Sequence, residues 1–344
     1  MSHLKRALLA GIFTGIFTVG SALPVLAQQA PAPQKTCANP NALGVSRVVE
    51  IDTTGGPGFG FQHYKSYDFL EAKEVVLTFD DGPQKFHTEA VLAALAEQCT
   101  KAIFFSIGKM ALGYPEILRK VAAEGHTIGT HTWSHANLRK KKTEAEAVDE
   151  IERGMSAVKR AVGGPIAPFF RFPELADSPE TIKHLQDRNV AMFSTDIDSF
   201  DFKFRSSEHT VKAVIDRLGK LGKGIVLMHD IQPSTAKAIP ALLVALKQGG
   251  YKIVQMKPKA PLQTLPEFDT AIESSVKGLS SAANERPTSS VVRTVSEPGV
   301  SKLGGEPPAA QVIPAPTAAQ PDTPAAGKAE TANDQRQRTW FWQK

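Results

Sequence analysis

Cysteine is scarce in this chain. Cys37 and Cys99 are the only two in 344 residues, too few for a cysteine-rich metal cluster. After residue 27 no apolar run approaches the ~20 residues that cross a bilayer. Basic residues exceed acidic ones by only five, and no Lys/Arg stripe carries interleaved aromatics, so the electrostatic footprint of a nucleic-acid binder is absent. The one basic run, Arg139-Lys140-Lys141-Lys142, opens a helical pattern and reads as a solvated loop. No glycine fingerprint of the dinucleotide type is present, which excludes the commonest nicotinamide and flavin sites.

The N-terminus has a clear pattern. Lys5 and Arg6 precede the apolar residues 7–23, and Val25-Leu26-Ala27 supplies small residues where a signal peptidase reads, so residues 1–27 are expected to be a secretory signal. A retained membrane anchor is the alternative. Export puts the mature chain in the periplasm or outside the cell. Losing Lys5 and Arg6 lowers the formal charge from +5 to +3, a weak positive balance that suits loose association with anionic cell wall or a membrane surface. In an oxidising compartment, two cysteines have one intramolecular pairing. A Cys37–Cys99 bridge is therefore expected, two buried free thiols being the alternative.

Residues 28–34 are rich in Pro, Ala and Gln and read as a flexible lead-in. Residues 45–51 read as a strand, and the whole segment 28–72 is expected to pack on the core. The chain is organised around EVVLTFDDGP, residues 74–83, an unbroken β-forming run that ends in Asp80, Asp81 and a Gly-Pro turn. Helical and strand patterns then alternate. Strands are expected at 102–106, 126–130, 168–172, 190–195, 224–228 and 251–255, with helices at 88–98, 115–124, 143–162, 179–187, 207–221 and 235–248. About seven strands joined by helices imply a parallel α/β sheet, closed or nearly closed into a distorted (β/α) barrel over residues 73–262, with a flat doubly wound sheet as the alternative. Residues 263–344 turn to Pro, Ala, Ser and Thr and are expected to be a disordered tail, ending in Trp340-Phe341-Trp342.

In a parallel α/β sheet, ligands bind at the C-terminal ends of the strands. Unusual polar residues collect at those ends. Asp80 and Asp81 close the first run, and His131 and His135 follow the third, four apart as on one face of a helical turn. Arg171 sits in PFFRFP, Asp198 and Asp201 in FSTDIDSFD, and His229 in IVLMHD. Singly each has a structural explanation as a turn, a loop cap or a surface pair. Jointly they are expected to line one barrel mouth. Two histidines and a carboxylate form the ligand inventory of a hydrolytic zinc site, and equally of a non-haem iron oxygenase.

The order TFDDGP, HTWSH, RFP, DSFDF, LMH resembles the five motifs of the polysaccharide deacetylase family, carbohydrate esterase family four, over residues 73–256. The first two matches are highly specific. The resemblance implies that Asp81, His131 and His135 hold a divalent ion, zinc first with cobalt or manganese as alternatives. It also implies Asp80 as general base, His229 as general acid, Arg171 orienting Asp80 and Asp201 pairing with His229. Such an enzyme removes N-acetyl groups from an envelope or extracellular glycan. Two positions depart from the family: Glu174 stands where the third motif has an aromatic residue, and Phe202 where the fourth commonly has Trp. Both are expected to face substrate. Glu174 keeps open an O-deacetylase or another metal-assisted amidase. A non-catalytic wall-binding protein is the third reading, against which the joint presence of Asp80 and His229 argues.

Overall fold

The computed structural model describes residues 37–203 and 205–284. The expected signal at 1–27, the lead-in at 28–34 and the tail aromatics at 340–342 lie outside them. The chain enters through β1 (Arg47–Ile51) and β2 (Gly58–Phe59), then forms β3 (Glu74–Asp80), all seven residues of which are buried. Alternation follows in α1 (His87–Glu97), β4 (Ile103–Ser106), α2 (Gly108–Gly113), α3 (Pro115–Ala123), β5 (Thr127–Thr130), α4 (Glu144–Val162) and β6 (Phe169–Arg171). It continues with α5 (Pro179–Asp187), β7 (Ala191–Phe193), β8 (Ile197–Asp198), α6 (Ser207–Leu221), β9 (Gly224–His229), α7 (Pro233–Gln248), β10 (Lys252–Pro258) and α8 (Pro266–Asn284).

Every strand pair is parallel, and β3 is followed around the wall by β4, β5, β6 and β7. On its other edge β3 pairs with β9 over Val75–Asp80, and β9 pairs with β8. Only three residues separate β7 from β8. The chain therefore changes partners within one extended passage and closes the ring, with the Thr195 hydroxyl donating to Ile225 O at 2.9 Å at the changeover. The strand expected at 251–255 exists as β10 but leaves the wall. It holds only Glu74 and Val75 of β3 before β4 takes that edge, and pairs along its length with β1 instead.

Side-chain alternation sorts the interior. From β3, Val75, Leu77 and Phe79 pack outward against the helices, while Val76 joins Phe105, Phe169 and Phe193 inside the barrel. Burying such a side chain contributes about 1.5–3 kcal/mol relative to exposure. The same period points Thr78 and Asp80 inward near the mouth. Apolar filling thus gives way to polar groups along one face of one strand.

Two features tie the outer parts of the described region to this body. Cys37 and Cys99 are bonded, with Cα atoms 5.8 Å apart, joining the N-terminal segment to the chain just past α1. Order also extends past residue 262, where the sequence shows no periodicity: Ile272 of α8 is buried, and Arg160 of α4 pairs with Glu273 at 3.2 Å. Residues 263–284 therefore belong to the folded part. Among the helix's described side chains only Ile272 is buried, which leaves little apolar pattern along the sequence.

Candidate active site

β3 ends at Asp80, and Asp81 turns the chain away with φ at 77°. The turn brings the Asp81 carboxylate to the loop after β5. Asp81 Oδ1 lies 3.6 Å from His131 Nε2 and 3.4 Å from His135 Nε2. That oxygen is buried and accepts no hydrogen bond among the described residues. Four-coordinate bonds of about 2.0–2.2 Å set donor atoms roughly 3.3–3.6 Å apart, so both separations from Asp81 match a tetrahedral ion.

The two imidazoles are prepared for such a role. His131 Nδ1 is 2.7 Å from the carbonyl oxygen of Arg171, which can only accept, so Nδ1 carries the proton and Nε2 presents its lone pair. Burial, reinforced by His135, holds His131 well below the usual histidine range and keeps it neutral, the ligand form. The sequence led the four-residue spacing to be expected on a helical turn, but it lies on an irregular loop. Thr132 and His135 both adopt positive φ, 63° and 62°, and the loop folds back through His135 N donating to Thr132 Oγ1 at 3.0 Å. Helix α4 supports it. Trp133 N donates to Glu150 O at 2.7 Å, and the Glu150 carboxylate accepts from Ser134 N and Oγ at 3.0 and 2.8 Å. Gly154 lies so close that a Cβ there would stand 2.5 Å from the Thr132 carbonyl carbon.

Beneath the ligands sits an ion pair. Arg171, fully buried, donates from one terminal nitrogen to Asp80 Oδ1 and Thr78 Oγ1, both at 2.7 Å, and from the other to Ser194 O at 2.9 Å. Its guanidinium lies 4.4 Å from the Phe105 ring centre. The sequence led Arg171 to be expected in the lining of the mouth; it forms the buried floor under Asp80 instead. Asp80 Oδ2 remains turned toward the ligands, 4.0 Å from His131 Nε2. Burial raises the Asp80 carboxyl, against the opposing charges of Arg171 and His229.

Across the mouth, β9 ends at His229. Its Nδ1 is 2.7 Å from Asp201 Oδ1, and its backbone N donates to Asp201 Oδ2, also at 2.7 Å. Thr235 Oγ1 donates to the same oxygen. Burial works to lower the His229 pKa, but the Asp201 bond and the charges of Asp201, Asp81 and Asp80 outweigh it and push it up to about 10. The Phe202 ring, 45% exposed, stands edge-on to His229 with centroids 5.7 Å apart.

Two expected residues sit apart from this group. Asp198 Oδ1 accepts Phe200 N at 2.8 Å and caps its own loop. Glu174, in left-handed conformation at φ 56°, accepts from Asn137 Nδ2 at 2.6 Å, two residues past His135. Two buried carboxylates were missed. Glu150 has no sequence signal, lying mid-helix among other acids. Asp230 had one, since it directly follows His229; its Oδ1 accepts Gly82 N at 3.1 Å and its Oδ2 accepts Thr88 Oγ1 at 2.6 Å.

Comparison with known proteins bears on this geometry. The family model for polysaccharide deacetylase matches residues 69–193. A peptidoglycan-N-acetylglucosamine deacetylase of Listeria monocytogenes is 32% identical over 185 residues, 53% of this chain but only 38% of that protein. A peptidoglycan-N-acetylglucosamine deacetylase of Bacillus cereus is 30% identical over 192 residues, 53% of this chain and 68% of its own. Among solved structures, a peptidoglycan deacetylase of Bdellovibrio bacteriovorus superposes with a TM-score of 0.58 at 34% identity, covering 64% of this chain and 62% of that one.

Proposed function

Since the chain belongs to the polysaccharide deacetylase family, we propose that it is a metal-dependent hydrolase that removes N-acetyl groups from an envelope or extracellular glycan. The observation that carries the reading is the buried, unbonded Asp81 Oδ1 between two imidazole nitrogens, with a proton acceptor on one side and a proton donor on the other. Asp81, His131 and His135 fit a divalent ion, zinc by its preference for this donor set and geometry, with cobalt or manganese as substitutes. When bound, such an ion polarises the amide carbonyl and makes water more acidic.

The chain's own residues handle the protons. Arg171 holds Asp80 by Oδ1, leaving Oδ2 to take a proton from the attacking water as the new C–O bond forms. Asp201 keeps His229 charged, and His229 gives its proton to the nitrogen as the C–N bond breaks, so acetate and a free amine result. Phe202 offers an apolar edge beside His229 for a sugar face. The signal pattern read in the sequence of residues 1–27 supports export to the periplasm or outside the cell, and the weakly basic charge left without it suits loose contact with an anionic wall.

The test is acetate release by zinc-, cobalt- or manganese-loaded protein from chitooligosaccharides, peptidoglycan, an N-acetylated exopolysaccharide and an O-acetylated glycan. Metal-dependent release from an N-acetylated glycan is expected. Release confined to the O-acetylated substrate, or release that survives chelation, overturns the proposal.

A further inference from the structure

Asp230 belongs to neither proton-transfer pair, yet it is among the most buried charged groups of the barrel, 1% exposed. Its two oxygens both reach back to the turn after β3. Oδ1 accepts Gly82 N, the peptide directly after Asp81, and Oδ2 accepts the Thr88 hydroxyl in the first turn of α1. Thr88 Oγ1 in turn accepts Gln84 N at 2.8 Å, so both sides of the turn hang from one carboxylate. The approach leaves no room for a side chain at position 82, where a Cβ would stand 2.2 Å from Asp230 Oδ2.

A buried carboxylate with no cation bonded to it among the described residues is a costly means of holding a turn. Burial and the charge of Asp81 push it up to about 7. An apolar side chain would fill the same space without that penalty but could not accept from the Gly82 amide. We propose that Asp230 is a positioning residue for metal binding: through Gly82 N and Thr88 it sets the direction of the Asp81 carboxylate toward His131 and His135. Because it adjoins His229 in sequence, it also fixes the metal-bearing turn to the strand that carries the proton donor. Its contribution is the placement of acceptor oxygens, so it does not depend on carrying a charge.

The inference rests on the metal reading above, and zinc affinity measured by competition with a chromophoric chelator separates the two. Asp230→Ala is expected to weaken zinc binding by about 10–100-fold, the usual effect of losing a group that orients a ligand. Asp230→Asn keeps an acceptor for Gly82 N and a partner for Thr88, and is expected to restore affinity to within about threefold of wild type. Thermal melts of the metal-free proteins show whether each variant is folded. Wild-type affinity in a folded Asp230→Ala protein overturns the inference while leaving the metal site standing. Asp230→Asn as weak as Asp230→Ala also overturns it, because charge rather than placement would then be responsible. If Asp230→Ala does not fold, Thr88→Val removes one arm alone, and a smaller loss of about 3–10-fold is expected; unchanged affinity there counts against the proposal. A wild-type protein that binds no zinc, cobalt or manganese removes the metal reading itself and this inference with it.

Discussion

At the foot of β3, Glu74 is held on one oxygen by Arg47 Nε and on the other by Arg47 Nη2 and Glu71 N, all at 2.7 Å, whereas at the mouth of the same strand Asp81 Oδ1 is as deeply buried and accepts nothing among the described residues. The contrast repeats on β9. Near its foot, Asp196 accepts Phe61 N at 2.6 Å and Ile225 N at 2.7 Å, one on each oxygen. At its mouth, the His229 ring is fixed through Nδ1 by Asp201, and Nε2 is the ring nitrogen left to serve a substrate. Charges at the foot are satisfied by the chain and hold it shut. At the mouth Asp201 and Asp230 are likewise bonded on both oxygens, but Asp81 keeps an open side, where an ion would complete the bonding.

The sharpest way to break this comparison is at a ligand. His131→Ala is expected to lose most of the bound metal and essentially all acetate release, measured as metal per chain and as turnover; full metal content in the variant would mean the open oxygens serve something else. Asp80→Asn comes next. It is expected to keep the metal while kcat falls by about 10²–10⁴-fold, since an amide cannot take the proton.

Asp201→Asn tests the donor side through pH. His229 must carry a proton to act, so the rate falls as pH rises through its pKa, which Asp201 helps to push up to about 10. Without the carboxylate that limb of the pH–rate profile is expected to move down toward the ordinary histidine value of about 6.5. The same raised pKa contributes folding stability that is fully present below about pH 6.5 and fades as pH climbs through about 10. An alkaline limb that stays in place would show that another group donates the proton.

At the foot the expected effects are on stability alone. Reducing Cys37–Cys99, which encloses a separation of 62 residues, is expected to lower unfolding free energy by about 4 kcal/mol in the chain-entropy account without releasing metal. Arg47→Ala removes two bonds to the buried Glu74 carboxylate, and a loss of about 1–2 kcal/mol is expected, read from denaturant melts. Metal affinity should be unchanged in both. A drop in metal binding on either change would show that the two ends are coupled rather than separate.

What the sequence determined by itself is what local pattern can carry. Unbroken β-forming runs alternating with helical periods dictate a parallel α/β sheet, barrel or doubly wound, because strands buried on both faces must be apolar throughout and their crossovers must be helices. Polar residues that end those runs must then share one rim, which is why Asp80, Asp81, His131, His135 and His229 were legible as a group. Tertiary structure decided how they meet. No period in the sequence places the Arg171 guanidinium under Asp80, turns Thr132 and His135 to positive φ, or moves the β10 strand out of the wall to pair with β1. Each depends on contacts between residues distant in the chain: 91 positions separate Asp80 from Arg171, and 148 separate Gly82 from Asp230. Helix α8 and the carboxylates of Glu150 and Asp230 went unread for the same reason. Their roles come from a few bonds across the fold, and scattered bonds leave no repeat along the chain.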